Sequence, residues 1–267
     1  GHLETIHSTR AMAFAVKGLH YYLTTTESLK ARKLLETLAN RIVQMYRHES
    51  GADWKWFEHY MTYGNSILPE AMLCAWMSTG DVVYKNIARE SFDFLLRHTF
   101  DETGIKVIPN DGWLQKGAER AQYGEQPIDV AYTILALQRF YGVFKDESYR
   151  AKMEVAFNWF LGQNHLNQII YNPCTGGCYD GLEESQVNMN QGAESTVSYL
   201  MARLAVEHTF NSHLLYSSPL DLQDDMSEST AVEALRPVNN EKGRNYEKQM
   251  PQYSGKSFID WPAGLRR

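Results

Sequence analysis

The chain is poor in cysteine: Cys74, Cys174 and Cys178 are its three thiols, an odd number that argues against a scaffold built on disulfides. A bridge from Cys174 to Cys178 across the Thr-Gly-Gly turn stays open for an oxidising compartment, whereas a zinc site fits poorly because a second pair at ligand spacing is missing. Cys74 lies in an apolar helix pattern and reads as a small core residue. Positive charge is also short, with 26 Lys and Arg against 32 Asp and Glu and a formal net charge of -6, which leaves no basic footprint for nucleic acid. No apolar run approaches the roughly 20 residues that cross a bilayer, and no charged, apolar, small-residue leader is evident. A soluble, cytoplasmic domain is the expectation, although the opening Gly1-His2 leaves room for a missing upstream region or signal. Strand patterns are scarce. Glycine spacing for a phosphate cradle is absent, and Ser195 lacks the Gly-flanked elbow of a serine nucleophile.

What the chain does have is helix. At 267 residues, 43% apolar and 22% charged, it can bury a sizeable core, and one large domain is as plausible as two. Seven long helical patterns follow one another. Those at Ser8 to Leu23, Ser66 to Ser78, Pro127 to Phe144 and Glu194 to His208 include stretches apolar almost all the way round, which implies burial on more than one side. Those at Glu27 to Tyr46, Asp81 to His98 and Asp146 to Leu161 carry one apolar stripe against a charged back, as Leu34, Leu35, Leu38, Ile42 and Met45 do against Lys30, Arg32, Lys33 and Arg41. This alternation recurs every roughly 55 to 65 residues and predicts a repeat of helical hairpins, an α/α toroid with inner and outer helices. Seven helices make an incomplete version of a six-hairpin barrel. The toroid is expected over residues 1–210, with 211–267 an extended or partly disordered tail.

The segments leading into the inner helices are long and chemically dense; those into the outer helices are short and plain. In a toroid the inner helices run parallel, so the dense segments gather at one end. Gly51 to Asn65 combines Trp54, Trp56, Phe57, Tyr60 and Tyr63 with Asp53 and Glu58, supplying both flat faces for sugar C–H groups and acceptors for hydroxyls. Gly112 to Asp129 holds Trp113, Gln115, Lys116, Glu119, Arg120, Glu125, Gln126 and Asp129. Tyr171 to Glu194 places Asp180, Asn188, Asn190, Gln191 and Glu194 among glycines that permit close backbone approach. Plainer roles stand beside these: Asp129, Glu194 and Glu70 all serve a helix dipole from a first turn, and Trp54 and Phe57 serve as core anchors. His20, His59 and His165 are the histidines available to an epimerase-type proton exchange.

Three motifs, WKWFEHYMTYGNSILPEAML, GWLQKGAERAQYGEQPIDVAY, and YNPCTGGCYDGL with VNMNQGAESTVSYL, resemble the six-hairpin glycosidase-like domains, some of which sit behind bacterial glycosyltransferase domains. The resemblance spans about Ser8 to Leu204 and implies a toroid fold and carbohydrate work. The family tends to carry Asp at positions 64 and 124 and Gln at 125, where this chain has Gly64, Gly124 and Glu125. Matching positions include Trp56, Glu58, Asn65, Lys116, Gln126, Asp129, Asp180, Asn190, Gln191 and Glu194. Relatives also carry upstream helices, so the resemblance implies the C-terminal part of a larger toroid or a shortened one, open to homo-oligomer formation.

The resulting expectation is a glycoside hydrolase acting on an oligosaccharide without metal or organic cofactor. Cleavage needs a protonated acid at the leaving oxygen and an ionised carboxylate opposite, about 5–5.5 Å apart for retention and about 6.5–9.5 Å for inversion. A wide toroid mouth favours inversion. Asp129 and Glu194 are the expected catalytic pair, with Glu58 and Asp180 in reserve. Trp54, Trp56, Trp113 and Tyr179 are the expected sugar platforms, and Asn65, Lys116, Gln126, Asn190 and Gln191 the polar contacts. A non-catalytic carbohydrate-binding domain serving a glycosyltransferase and a sugar epimerase are the alternatives.

Overall fold

Helix starts follow from the residues in front of them. Ser8 caps α1 (Thr9–Thr25), and Ser28 caps α2 (Leu29–Glu49), its hydroxyl accepting from the Ala31 N–H at 3.2 Å. Asp81 caps α4 (Val82–Thr99) through the Val83 N–H at 2.9 Å, and Asp146 caps α6 (Glu147–Asn158) through Ser148 at 3.0 Å. Such caps contribute about 1 kcal/mol each. The starts of α3 (Ile67–Thr79) and α5 (Pro127–Phe144) differ, for neither Ser66 nor Gln126 makes a side-chain cap bond. Ser66 Oγ instead meets Thr133 Oγ1 at 2.9 Å, joining α3 to α5. α7 runs Ala193–Tyr216, past the expected end at His208.

The structure is a computed structural model that describes residues 2–216, with side chains described over 3–210. Most of the expected tail therefore lies outside the described residues. All the described residues fall within one compact unit.

The helices form two layers. In the inner layer α1 packs on α3, α3 on α5 and α5 on α7; behind it α2, α4 and α6 pack on the inner helix that precedes each of them in the chain. The inner helices run the same way. The starts of α3 and α5 meet where the Gly64 N–H bonds Asp129, and the far ends of α1 and α3 meet where His20 bonds Ser78 at 2.8 Å. Between the layers sits the core. Leu35, Leu38 and Ile42 are fully buried, and Phe92 and Phe140 approach to 4.1 Å between centroids. At about 1.5–3 kcal/mol per large apolar side chain, this sandwich of layers dominates the fold's stability.

One expectation about α1 changes. Its sequence looks apolar nearly all round, yet Phe14 and Tyr21 are exposed, and Arg10 and Lys17 share their face. That face lines the concave side of the row, where Phe14 meets Tyr132 of α5 edge-on at 5.8 Å.

Short strands stitch the segments at the starts of the inner helices. β1 (Tyr60–Met61) pairs antiparallel with β4 (Leu114–Gln115), and β5 (Gly181–Leu182) with β6 (Val187–Asn188). A single bridge between Glu125 and Leu182 ties the second segment to the third. At the same end β2 (Phe100–Asp101) and β3 (Gly104–Ile105) close a small hairpin after α4, and Arg120 of the second segment bonds the His98 carbonyl beside it.

Candidate functional site

At the start of the inner helices a polar cluster forms around Arg10, in the first turn of α1. Its guanidinium uses three nitrogens: Nε donates to the Tyr63 carbonyl at 2.5 Å, Nη1 to Glu58 Oε2 at 2.9 Å, and Nη2 to Asn65 Oδ1 at 3.3 Å. Asn65 is buried and also donates to the Thr62 carbonyl, so Arg10 and Asn65 together fix the turn that enters α3. From α5, Asp129 reaches into this turn and accepts the Gly64 N–H at 2.6 Å. Burial pushes the Asp129 carboxyl up to about 7, against the opposing pull of the Gly64 and Asn65 N–H groups and the Arg10 charge, and the charge of Glu194 adds to the rise. Glu194 is exposed in the first turn of α7, at the same end of the row. Positions 58, 65, 129 and 194, far apart along the chain, converge at one rim. Beside them Tyr63 is exposed, with Arg10 5.1 Å above its ring and the half-buried Trp113 6.3 Å away.

Deeper on the concave side a second set follows. Lys17 Nζ lies 2.8 Å from the Glu70 carboxylate, and Arg139 Nε lies 3.9 Å from it. Arg139 also bonds the Tyr21 hydroxyl and stacks over that ring at 5.1 Å.

The fold has a solved counterpart. The chain is similar to the GH76A alpha-1,6-mannanase from Salegentibacter sp. HEL1_6, with a TM-score of 0.56 and 13% sequence identity over 85% of this chain and 61% of that one. The architecture is an α/α toroid. This chain thus spans less than two thirds of its neighbour's length. No protein-family profile and no curated protein matches it.

Several expected site residues are engaged by the fold itself. Trp56 is fully buried and Trp54 nearly so, the latter edge-on to Phe94 with its indole N–H on the Glu58 carbonyl. Neither ring offers a face to a sugar; the apolar demand of the interlayer core took them. Lys116 caps the end of α2, donating to the Glu49 carbonyl at 2.6 Å, which places it on the helix's negative pole. Asp180 accepts from the Gly192 N–H at 2.8 Å and the Ser195 hydroxyl at 2.6 Å, so it braces the start of α7. Tyr179 accepts from Asn172, Gln191 accepts from the Thr175 hydroxyl, and the Asn190 carbonyl accepts from the Asp180 N–H. These shape the third segment. Gln126 is half-buried at the head of α5, next to Asp129.

The histidines are each engaged separately. His20 is bonded to Ser78 and pushed down by burial, then by the Arg139 charge. His165 lies 3.4 Å from the buried Glu125 and is raised by it. Glu125 in turn accepts the Trp159 indole N–H at 3.1 Å, which makes it an internal strut. All three thiols are free, Cys174 exposed and Cys178 buried. Among the described residues no three His, Cys, Asp or Glu side chains are grouped to hold a metal ion, and no helix is long and apolar enough to cross a membrane.

The sequence reading missed Arg10, Lys17 and Arg139. A signal existed: Arg10, Phe14, Lys17 and Tyr21 recur at spacings that share one helix face, and Arg139 is the one basic residue of α5.

Proposed function

We propose that the chain is a carbohydrate-active protein, a glycoside hydrolase that works on an oligosaccharide at the rim, with Asp129 as proton donor and Glu194 as the carboxylate opposite. The observation that carries this reading is the contrast between the two acids. Asp129 is buried, with its carboxyl raised to about 7, so it holds a proton near neutrality. Glu194 stands exposed and contributes negative charge to the same neighbourhood. Two carboxyl groups with environments that split their roles are what acid-assisted glycosidic cleavage requires. Tyr63 and Trp113 offer ring faces beside them, and the reading takes the inverting course, with a water on the far side of the sugar. Glu58 orients Arg10, which with Asn65 shapes the turn that holds Asp129. The similarity to an alpha-1,6-mannanase makes mannose oligosaccharides the first substrates to try.

A binding-only role is favoured by the burial of Asp129, which is 6% exposed and tied into the turn by the Gly64 N–H, so that its carboxyl braces the fold as much as it faces the mouth. Sugar release and calorimetric binding on the same oligosaccharides separate the two readings. For the hydrolase, Asp129→Asn and Glu194→Gln each lower turnover by about 10²–10⁴-fold while unfolding stays cooperative. Binding without product from the wild type supports the binding role, and undiminished turnover in both variants overturns the pair.

A further inference from the structure

We propose that the concave surface beneath the rim recognises an oxyanion carried by the glycan, a ring carboxylate or a phosphate ester, with Lys17 and Arg139 as its partners. This rests on the glycan reading and adds the substrate's charge to it. The face of α1 that carries Arg10, Phe14, Lys17 and Tyr21 is turned toward α5 across the inner side of α3. Phe14 meets Tyr132 edge-on at 5.8 Å, and Arg139 covers Tyr21. Glu70, from the first turn of α3, lies between the two cations.

The charges in this band do not balance. Among the described residues Lys17 and Arg139 face a single carboxylate, Glu70, while burial and the Arg139 charge push His20 toward its neutral form. The side chains of Lys17 and Arg139 are 19% and 24% exposed, so the surplus positive charge is neither in bulk water nor fully paired. A half-covered cation without a full counter-charge costs stability, and an anion that completes it recovers that cost. Arg139 supplies a planar fork suited to carboxylate and phosphate oxygens, with Lys17 as a point charge beside it. Phe14, nearly half exposed, gives the sugar ring a surface to lie on.

The rim carries the opposite sign. Among the described residues Glu58 and Glu194 stand there with Arg10, which pairs with Glu58, and Asp129 is raised as described. Asp129 and Arg139 are ten residues apart on α5, about 15 Å along the axis at 1.5 Å per residue. An acidic oligosaccharide is therefore oriented by the field, its anion deep and its scissile bond at the rim; the reverse pose sets the anion against Glu194.

Calorimetric titration of the whole chain with three probes of equal length tests this: a neutral mannose oligosaccharide, an oligouronate, and the mannose oligosaccharide bearing a phosphate monoester. The expected result is at least about tenfold tighter binding of one or both charged probes at low salt, an advantage that shrinks as salt rises. Which charged probe gains identifies the oxyanion. Arg139→Gln, which leaves Glu70 its Lys17 partner, should lower the charged-to-neutral affinity ratio about tenfold, and Glu70→Gln should raise it. Loss of folding cannot produce opposite signs. Equal affinity for neutral and charged probes, or a ratio unmoved by Arg139→Gln, overturns the oxyanion site and leaves the glycan reading standing. No binding of any probe removes both.

Discussion

Asp129 sits in a first helical turn, where a carboxylate ordinarily favours the dipole by about 0.3–1 kcal/mol. Its Oδ1 instead reaches another segment, the Gly64 N–H, and full burial lifts its carboxyl from 3.8 to about 7. A carboxyl raised on folding binds its proton more tightly in the folded chain than in the unfolded one. Between pH 4 and 7, roughly, the folded chain thus holds the extra proton, and stability falls as pH rises through that window. Below the window both states are protonated, and above it both are ionised. On the order of 4 kcal/mol is involved. Asp129→Asn keeps an acceptor oxygen for Gly64 without the titration, so the difference in unfolding free energy between wild type and variant should shift in the variant's favour from pH 4 to pH 7.5. A difference independent of pH in urea titrations would show that Asp129 is not raised. Asp129 was readable in the sequence because Pro127 fixes the helix start. Trp54 and Trp56 were not, because an aromatic residue beside polar ones carries no mark of which side it packs on.

The segments between helices show what spacing conceals. Helix boundaries followed from caps and periodicity, and α5 begins and ends where the pattern says, at Pro127 and Phe144. The pairings of β1 with β4 and of Glu125 with Leu182 join segments more than fifty residues apart through backbone groups, which no side-chain pattern announces. Two positions where the resemblance implies Asp differ in what they tolerate. Gly64 has φ +57, a left-handed conformation that Asp tolerates, and an added Cβ would meet only the Tyr132 ring at 3.9 Å. Gly124 has φ +99, and its Cβ would come to 2.5 Å from Asn110 Oδ1 and 3.3 Å from the Asp111 nitrogen. Gly64→Asp should therefore cost about 1 kcal/mol, whereas Gly124→Asp should cost about 2–3 kcal/mol by straining the second segment. Urea midpoints of the two variants check this. Equal losses would mean that the segment around Gly124 yields more easily than its bonds to Asn110 and Leu182 imply.

Over the whole molecule, the row α1–α3–α5–α7 has two end members, and each has one flank that no described helix covers. On α7 that flank is apolar: Val197, Leu200 and Leu204 are exposed, Leu204 by 65%, at spacings that place them on one side of the helix. On α1, Tyr22 is similarly open. Inner helices of a toroid are made to be covered on both sides, so these flanks keep the composition of an interior while facing water. A contiguous apolar strip of this kind drives association when concentration allows. The expected outcome is concentration-dependent self-association in sedimentation velocity, which Val197→Lys with Leu204→Lys abolishes while moving the unfolding free energy by no more than about 0.5 kcal/mol, as for surface substitutions away from packed contacts. Sedimentation of the double variant identical to that of the wild type would place any association elsewhere. A loss of several kcal/mol would instead mean that Val197 and Leu204 are packed within the chain, and the α7 flank would then belong to the core.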